Sequence, residues 1–125
     1  MKIAKPTDWR AEPLPLKRTS ISLNRSFSAE EMEIICRGIV PEEIEDRWFV
    51  YWQNHRLFFH RSWTGFCVFI VHFKEENGCY RMVDAEVNRD RNQYKNIDDE
   101  KDRKYISSLI DAILAHRMTT RDIIG

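Results

Sequence analysis

Between Trp48 and Asp90 the chain runs as apolar and aromatic segments that are broken twice, at Thr64-Gly65 and at Asn77-Gly78. Few folds accommodate that rhythm. Asn and Gly both tolerate positive φ, so Asn77-Gly78 is a two-residue hairpin turn. The pattern predicts four strands, at about 47–53, 56–62, 66–75 and 79–89, joined as an antiparallel meander. A two-residue loop at 77–78 pairs Glu76 with Cys79. Carried along the strands, it sets His72 opposite Val83, Ile70 opposite Ala85 and Val68 opposite Val87. It also sets Val71 opposite Asp84, Phe69 opposite Glu86 and Cys67 opposite Asn88. One face is then aliphatic, and the other mixes aromatic residues with Asp84, Glu86 and Asn88.

The turn at Thr64-Gly65 admits two registers. A two-residue loop pairs Trp63 with Phe66 and puts Leu57, Phe59, Arg61 and Trp63 on the aliphatic face. His60 and Ser62 then share the mixed face with Glu86 and Asn88. A three-residue loop with left-handed Gly65 pairs Ser62 with Phe66 and reverses the faces. Turn chemistry favours the second, because β-branched Thr64 resists positive φ. Burial favours the first, because it brings Leu57 and Phe59 to Val68 and Ile70.

Helices flank this sheet. Ser28 and Glu31 form a capping box, Phe27 and Met32 a hydrophobic staple. Met32, Ile35, Cys36 and Ile39 follow at helical spacing until Gly38 and Pro41 end the helix. Asp98 or Asp99 caps a longer helix reaching Arg117, with the stripe Tyr105, Ile106, Leu109, Ile110, Ile113 and Leu114. Its acids at 98–100 and His116-Arg117 at its far end suit the helix dipole. Pro6, Pro13 and Pro15 keep the N-terminus extended, with one short strand at Ser20–Leu23. The expected fold class is α+β: a four-stranded antiparallel meander sheet with two helices packed on one face and an extended N-terminal arm. A chain of 125 residues is one domain's worth. We assign 1–27 to the arm, 28–117 to the domain and 118–125 to a C-terminal tail.

Apolar residues are 42% and charged residues 32%, the composition of a soluble globular chain. The formal net charge is zero, so no global basic field signals nucleic acid. Charge is uneven, however. Residues 1–27 have six basic and two acidic side chains, net +4, and residues 28–46 have seven acids against Arg37, net −6. The plain reading is two solvated segments that attract each other; the sharper one is a basic arm for an anionic partner. Cys36, Cys67 and Cys79 share no metal-ligand spacing and read as reduced, packed thiols of a cytoplasmic protein. No run approaches the ~18 apolar residues of a membrane span, and the N-terminus lacks the apolar core of a signal peptide.

Chemistry concentrates at one phrase, His60-Arg61-Ser62-Trp63-Thr64-Gly65. Arg61 offers a fork for carboxylate or phosphate. Ser62, Thr64 and turn amides offer further donors, and Trp63 a surface for a ring. Asn88-Arg89-Asp90-Arg91-Asn92 lies at the same sheet edge by antiparallel order, as does Asp46-Arg47-Trp48. The candidate ligand site is therefore His60, Arg61, Ser62, Trp63, Thr64, Asn88, Arg89 and Arg91. The bland alternatives are a hydroxyl-stabilised turn, a tryptophan capping the core and a salt-bridged rim. Asp84 and Glu86 form either an acid/base pair or, more simply, a solvent face. No spacing supports a metal site or a cofactor, and no phosphate-loop or hydrolase motif is present.

Arg47-Trp48-Phe49-Val50-Tyr51, the His60–Gly65 phrase and Val87-Asn88-Arg89 together resemble an uncharacterised family of small bacterial proteins. The shared phrase is W-F-x-Y, L-x-F-H-R-S-W-T-G and V-N-R, over roughly residues 45–115. The resemblance implies no established activity. A likeness to segments accompanying ADP-ribose-handling proteins turns the expected ligand toward a phosphorylated nucleotide.

The leading expectation is a non-catalytic binding or interaction module for an anionic small molecule or nucleotide, or for an acidic protein partner. The alternative is a small enzyme acting on a nucleotide or phosphoester, with His60 as acid/base and Arg61 and Arg89 stabilising charge. A third is an oligomerisation or immunity-type protein using the open sheet face. Phe49, Tyr51, Phe69, Val71, Phe73, Tyr80 and Met82 would leave an apolar patch too large for a monomer. We expect the arm and a homodimer contact to cover it.

Overall fold

The two-residue turn at Asn77-Gly78 forms as its chemistry requires, with φ of 51° and 82° and Glu76 opposite Cys79. It joins β4 (Cys67–Glu76) to β5 (Cys79–Asn88). A second turn of the same kind, Asn54-His55 at φ 53° and 60°, joins β2 (Trp48–Gln53) to β3 (Arg56–Arg61). The computed structural model describes residues 3–43 and 45–115. In it the meander is complete, but the sheet has five strands rather than four. Residues Arg18–Phe27, expected as arm with one short strand, form a ten-residue β1 on the outer edge of β5. The order is β1-β5-β4-β3-β2, antiparallel throughout. Its burial explains why it hid: only Ile21 and Phe27 of the strand are buried. An edge strand with one wet face carries little apolar signal.

The register expected for the β4–β5 hairpin holds from the turn to Phe73–Met82 and then shifts by one. Val83 is the extra residue of a β-bulge, so His72 faces Asp84, Val71 faces Ala85 and Phe69 faces Val87. Such an insertion swaps every later side chain to the other face. The expected aliphatic set is accordingly corrected. Phe69, Val71 and Phe73 share the helix-covered face with Met82, Ala85 and Val87, while Ile70 stands opposite Glu86 on the other face.

Neither expected register of the β3–β4 turn is found at its tip. Arg61 N donates to Phe66 O (2.9 Å), which leaves the four-residue loop Ser62–Gly65. A bulge at Val68 follows, and beyond it the strands adopt the pairing of the three-residue alternative, with Phe59 opposite Phe69 and Leu57 opposite Val71. A longer loop and a bulge thus satisfy both constraints, sparing Thr64 a positive φ and burying Leu57 and Phe59 completely.

The helix face is covered by α1 (Ala29–Ile35) and α2 (Asp99–Leu114). Ser28 caps α1 in a full capping box with Glu31, and α1 stops at Ile35, short of the expected Ile39. Asp98 caps α2, whose Ile106, Leu109, Ile110 and Ile113 are buried against the sheet. Burying each such residue stabilises by ~1.5–3 kcal/mol. Trp48 is the centre of the aromatic packing, within 6.1 Å of the rings of Phe59, Phe69 and Tyr105. The expected end of α2 at His116-Arg117, and the tail, lie outside the described residues.

On the opposite face Phe49, Tyr51, Phe58, Cys67 and Ile70 form a second cluster with Ala4 and Leu14. Through Ala4 and Leu14 the N-terminal segment packs against it. Ala4 N donates to Arg37 O (2.8 Å) and Glu12 N to Gly65 O (2.8 Å). The basic residues of β1 do not turn to the acids at 28–46 in the contacts observed: Arg18 pairs with Glu86 (3.0 Å) and Arg25 with Asp111 (2.7 Å). No described helix is long and apolar enough to cross a membrane.

Candidate functional site

Alternation along β3 decides the site first. Consecutive residues of a strand point to opposite faces. Arg61 therefore stands on the helix side, its guanidinium 4.4 Å from the centroid of the Trp48 ring. His60 stands on the other side among Phe49, Tyr51 and Phe58. Arg61 and His60 line different pockets, one on each side of the sheet.

The loop 62–65 is clamped on both flanks. Ser62 is buried, its amide donating to Arg47 O (2.9 Å) and its hydroxyl to Asp46 O. From the N-terminal segment, Trp9 Nε1 donates to Ser62 O (2.8 Å) and Arg10 Nη1 to Trp63 O (2.9 Å). Thr64 Oγ1 accepts from Phe66 N (3.1 Å), a local bond of the kind that stabilises turns. Trp63 does not cap the core: it is 67% exposed.

The other expected half of the site is mostly structural. Asn88 is fully buried; its amide donates to Cys67 O (2.8 Å) and Gln93 Oε1 (2.9 Å), and its Oδ1 accepts from Asp90 N. Arg89 reaches Asp99 (2.7 Å) and Asp102 (2.6 Å), and its side chain is 15% exposed. Burial works to lower its pKa, but the two carboxylates outweigh that and hold it above the usual arginine value. Asp102 also accepts from the Tyr94 hydroxyl (2.6 Å) and from Asn96 Nδ2 (2.8 Å). Burial and that neighbouring carboxylate push the Tyr94 hydroxyl up. Arg91 is exposed on the same loop and does not line the cleft described next.

Where the β3–β4 turn meets this loop there is a cleft of about 480 Å³. Arg61, Trp63 and Thr64 line it from the turn, joined by Phe66, by Arg47 ahead of β2, and by Asn92 and Gln93. Of the eight residues expected at the site, these three meet there. Ser62, Asn88 and Arg89 support the walls, Arg91 stands beside them, and His60 lies across the sheet. Arg47 and Asn92 belong to the segments expected at this edge and Gln93 follows directly after one of them, but nothing in the pattern singles them out. Among the described residues lining the cleft none is acidic, and neither Arg47 nor Arg61 forms an ion pair with a described carboxylate. Two guanidinium groups beside an exposed indole and a phenyl ring suit an anion attached to a flat ring.

His60 is 3% exposed and its Nδ1 lies 2.9 Å from Gly65 O. Burial lowers its pKa, against the Gly65 bond and the charge of Glu12, which push the other way. Of Asp84 and Glu86, expected either as an acid/base pair or as a solvent face, Glu86 is engaged by Arg18 and His72. Burial tends to raise Glu86, yet hydrogen bonds from His72 (2.8 Å) and Arg18 hold it below the usual glutamate value. Among the described residues no cluster of three His, Cys, Asp or Glu side chains is arranged to hold a metal.

Comparisons with protein-family models, with curated proteins and with solved structures found no match to this chain.

Proposed function

We propose that this protein is a non-catalytic binding module whose rim cleft takes an anionic small molecule bearing a planar ring, of the phosphorylated-nucleotide class. One observation carries the reading: segments remote in sequence bring Arg47, Arg61 and Trp63 to one cleft with no acid among its described lining residues. Arg61 is held in place over Trp48, so less side-chain freedom is lost when it grips an anion. Residues 3–17 enter as an arm that fixes the turn through Trp9, Arg10 and Glu12.

An enzyme built on His60 with Arg61 and Arg89 draws no support from this geometry. His60 faces away from Arg61, and Arg89 is engaged by Asp99 and Asp102.

Calorimetric titration with ADP-ribose, a nucleoside diphosphate and the parent nucleoside tests the proposal. The phosphorylated compounds should bind without turnover and the nucleoside at least ten-fold more weakly. Arg61→Ala and Arg47→Ala should each lower affinity by ~10–100-fold, the worth of a charge-assisted contact of ~1.5–3 kcal/mol. Binding that falls as salt rises is expected of an exposed anion site. Failure of every anion to bind, or equal binding of the nucleoside, would reject it.

A further inference from the structure

We infer that the opposite face of the sheet carries a second site: the cavity beside His60 takes a small uncharged ring compound that donates an O–H or N–H to Nε2. The Gly65 carbonyl oxygen can only accept, so the proton of the ring is on Nδ1, 2.9 Å away. Nε2 is then a bare lone pair. It is buried and has no partner among the described residues, and a buried acceptor is unfavourable until a donor reaches it.

The cavity measures about 250 Å³ and is lined by His60 with Leu14, Tyr51, Phe58, Cys67 and Ile70. An apolar cavity of roughly 150 Å³ holds benzene, so one substituted ring fits. Tyr51, Phe58 and His60 present nearly parallel rings, with interplanar angles of 11° to 16°, against which a flat molecule packs.

The remaining polar groups set the sign. The Cys67 thiol donates to Phe69 O (3.7 Å), and burial pushes its pKa up to about 12, so it stays protonated and its one proton is engaged outside the cavity. Glu12 adds a carboxylate to the wall. Apart from the tyrosine hydroxyl, which can play either part, the free polar side chains of the wall are acceptors. Anions are therefore refused and a donor is selected, the reverse of the arginine cleft.

The test is a titration of the full chain, labelled with nitrogen-15 at histidine, with phenol and with toluene. Phenol should move the Nε2 resonance from the free-imidazole position toward the hydrogen-bonded one and raise Tm. Toluene, which has no donor, should bind at least ten-fold more weakly. His60→Phe should abolish the difference between the two. Ala11→Trp, at an exposed position on the cavity wall, should block both without disturbing the core. Three results would overturn the assignment: an Nε2 resonance unmoved by phenol, equal binding of phenol and toluene, or an Nε2-bound water that phenol does not displace.

Discussion

Arg89 donates to Asp102 across 2.6 Å, and the carboxylate it reaches is fully buried. In sequence Arg89 stands beside Arg91 as one more cation at a sheet edge. In the fold it neutralises the residue on which Tyr94, Asn96 and the start of α2 converge. Removing one partner of a buried pair strands the other charge, at ~3–5 kcal/mol. Arg89→Ala should lose about that much in urea unfolding. Arg61→Ala, at a half-exposed residue, should leave the midpoint nearly unchanged while weakening the anion. If Arg89→Ala kept wild-type stability and lost only binding, Arg89 would belong to the cleft.

His60 gives the protein a pH signature. Its folded pKa lies below the ordinary 6.5 because burial disfavours the imidazolium. As pH falls through 6.5 the unfolded chain takes up a proton that the folded chain refuses. The His60 contribution is therefore complete above 6.5 and is lost as pH falls toward its folded value. Glu86, held below its ordinary 4.5 by His72 and Arg18 against the effect of burial, adds a separate decline below that value. Melting curves from pH 8 to pH 5 should show the first loss, and His60→Phe should flatten it. A Tm independent of pH over that range would mean that His60 is not buried neutral.

Gly38 and Gly78 both have positive φ, 67° and 82°, but they are not equivalent. A Cβ on Gly78 meets nothing within 4 Å, so Gly78→Ala costs only the left-handed conformation, ~1–2 kcal/mol. A Cβ on Gly38 would lie 2.1 Å from Val50 O. That oxygen accepts from Ile39 N (2.9 Å) in the bridge that ties residue 39 to β2, so it cannot retreat freely. Gly38→Ala should cost roughly 2–5 kcal/mol, strain and overpacking together. Denaturant midpoints of the two variants should differ in that order.

Local chemistry was legible in the sequence and its propagation was not. Asn77-Gly78 and the Ser28–Glu31 box announce a turn and a cap because each rests on a few adjacent residues. The bulges at Val68 and Val83 are invisible, because valine suits a strand whether paired or inserted, and each moves all later residues to the other face. Two such shifts return His60 to the side of Glu86, the outcome of the two-residue turn, although the pairing along β3 is that of the three-residue turn. The convergence of the Arg61 turn with the loop after β5 survived because antiparallel order alone fixes it. The roles of Arg89 and Asn88 did not, since partners such as Asp102 and Cys67 are set by tertiary packing.

The three cysteines report on the seating of the N-terminal segment. Cys79 is exposed at the start of β5, Cys36 is half-buried, and Cys67 is buried in the cluster with Ala4 and Leu14. The thiolate is the reactive form. Burial raises the Cys36 pKa, and at Cys67 burial, with the charge of Glu86, raises it to about 12. A disulfide reagent at pH 8 should therefore label Cys79 first and Cys36 more slowly, with Cys67 reacting only as fast as the structure opens. Deleting residues 1–17 removes Ala4 and Leu14 from over the sheet, and Cys67 labelling should then accelerate while α2 remains folded by circular dichroism. If Cys67 of the full chain reacted as fast as Cys79, the segment would not cover this face, and the cavity beside His60 would lose its outer wall.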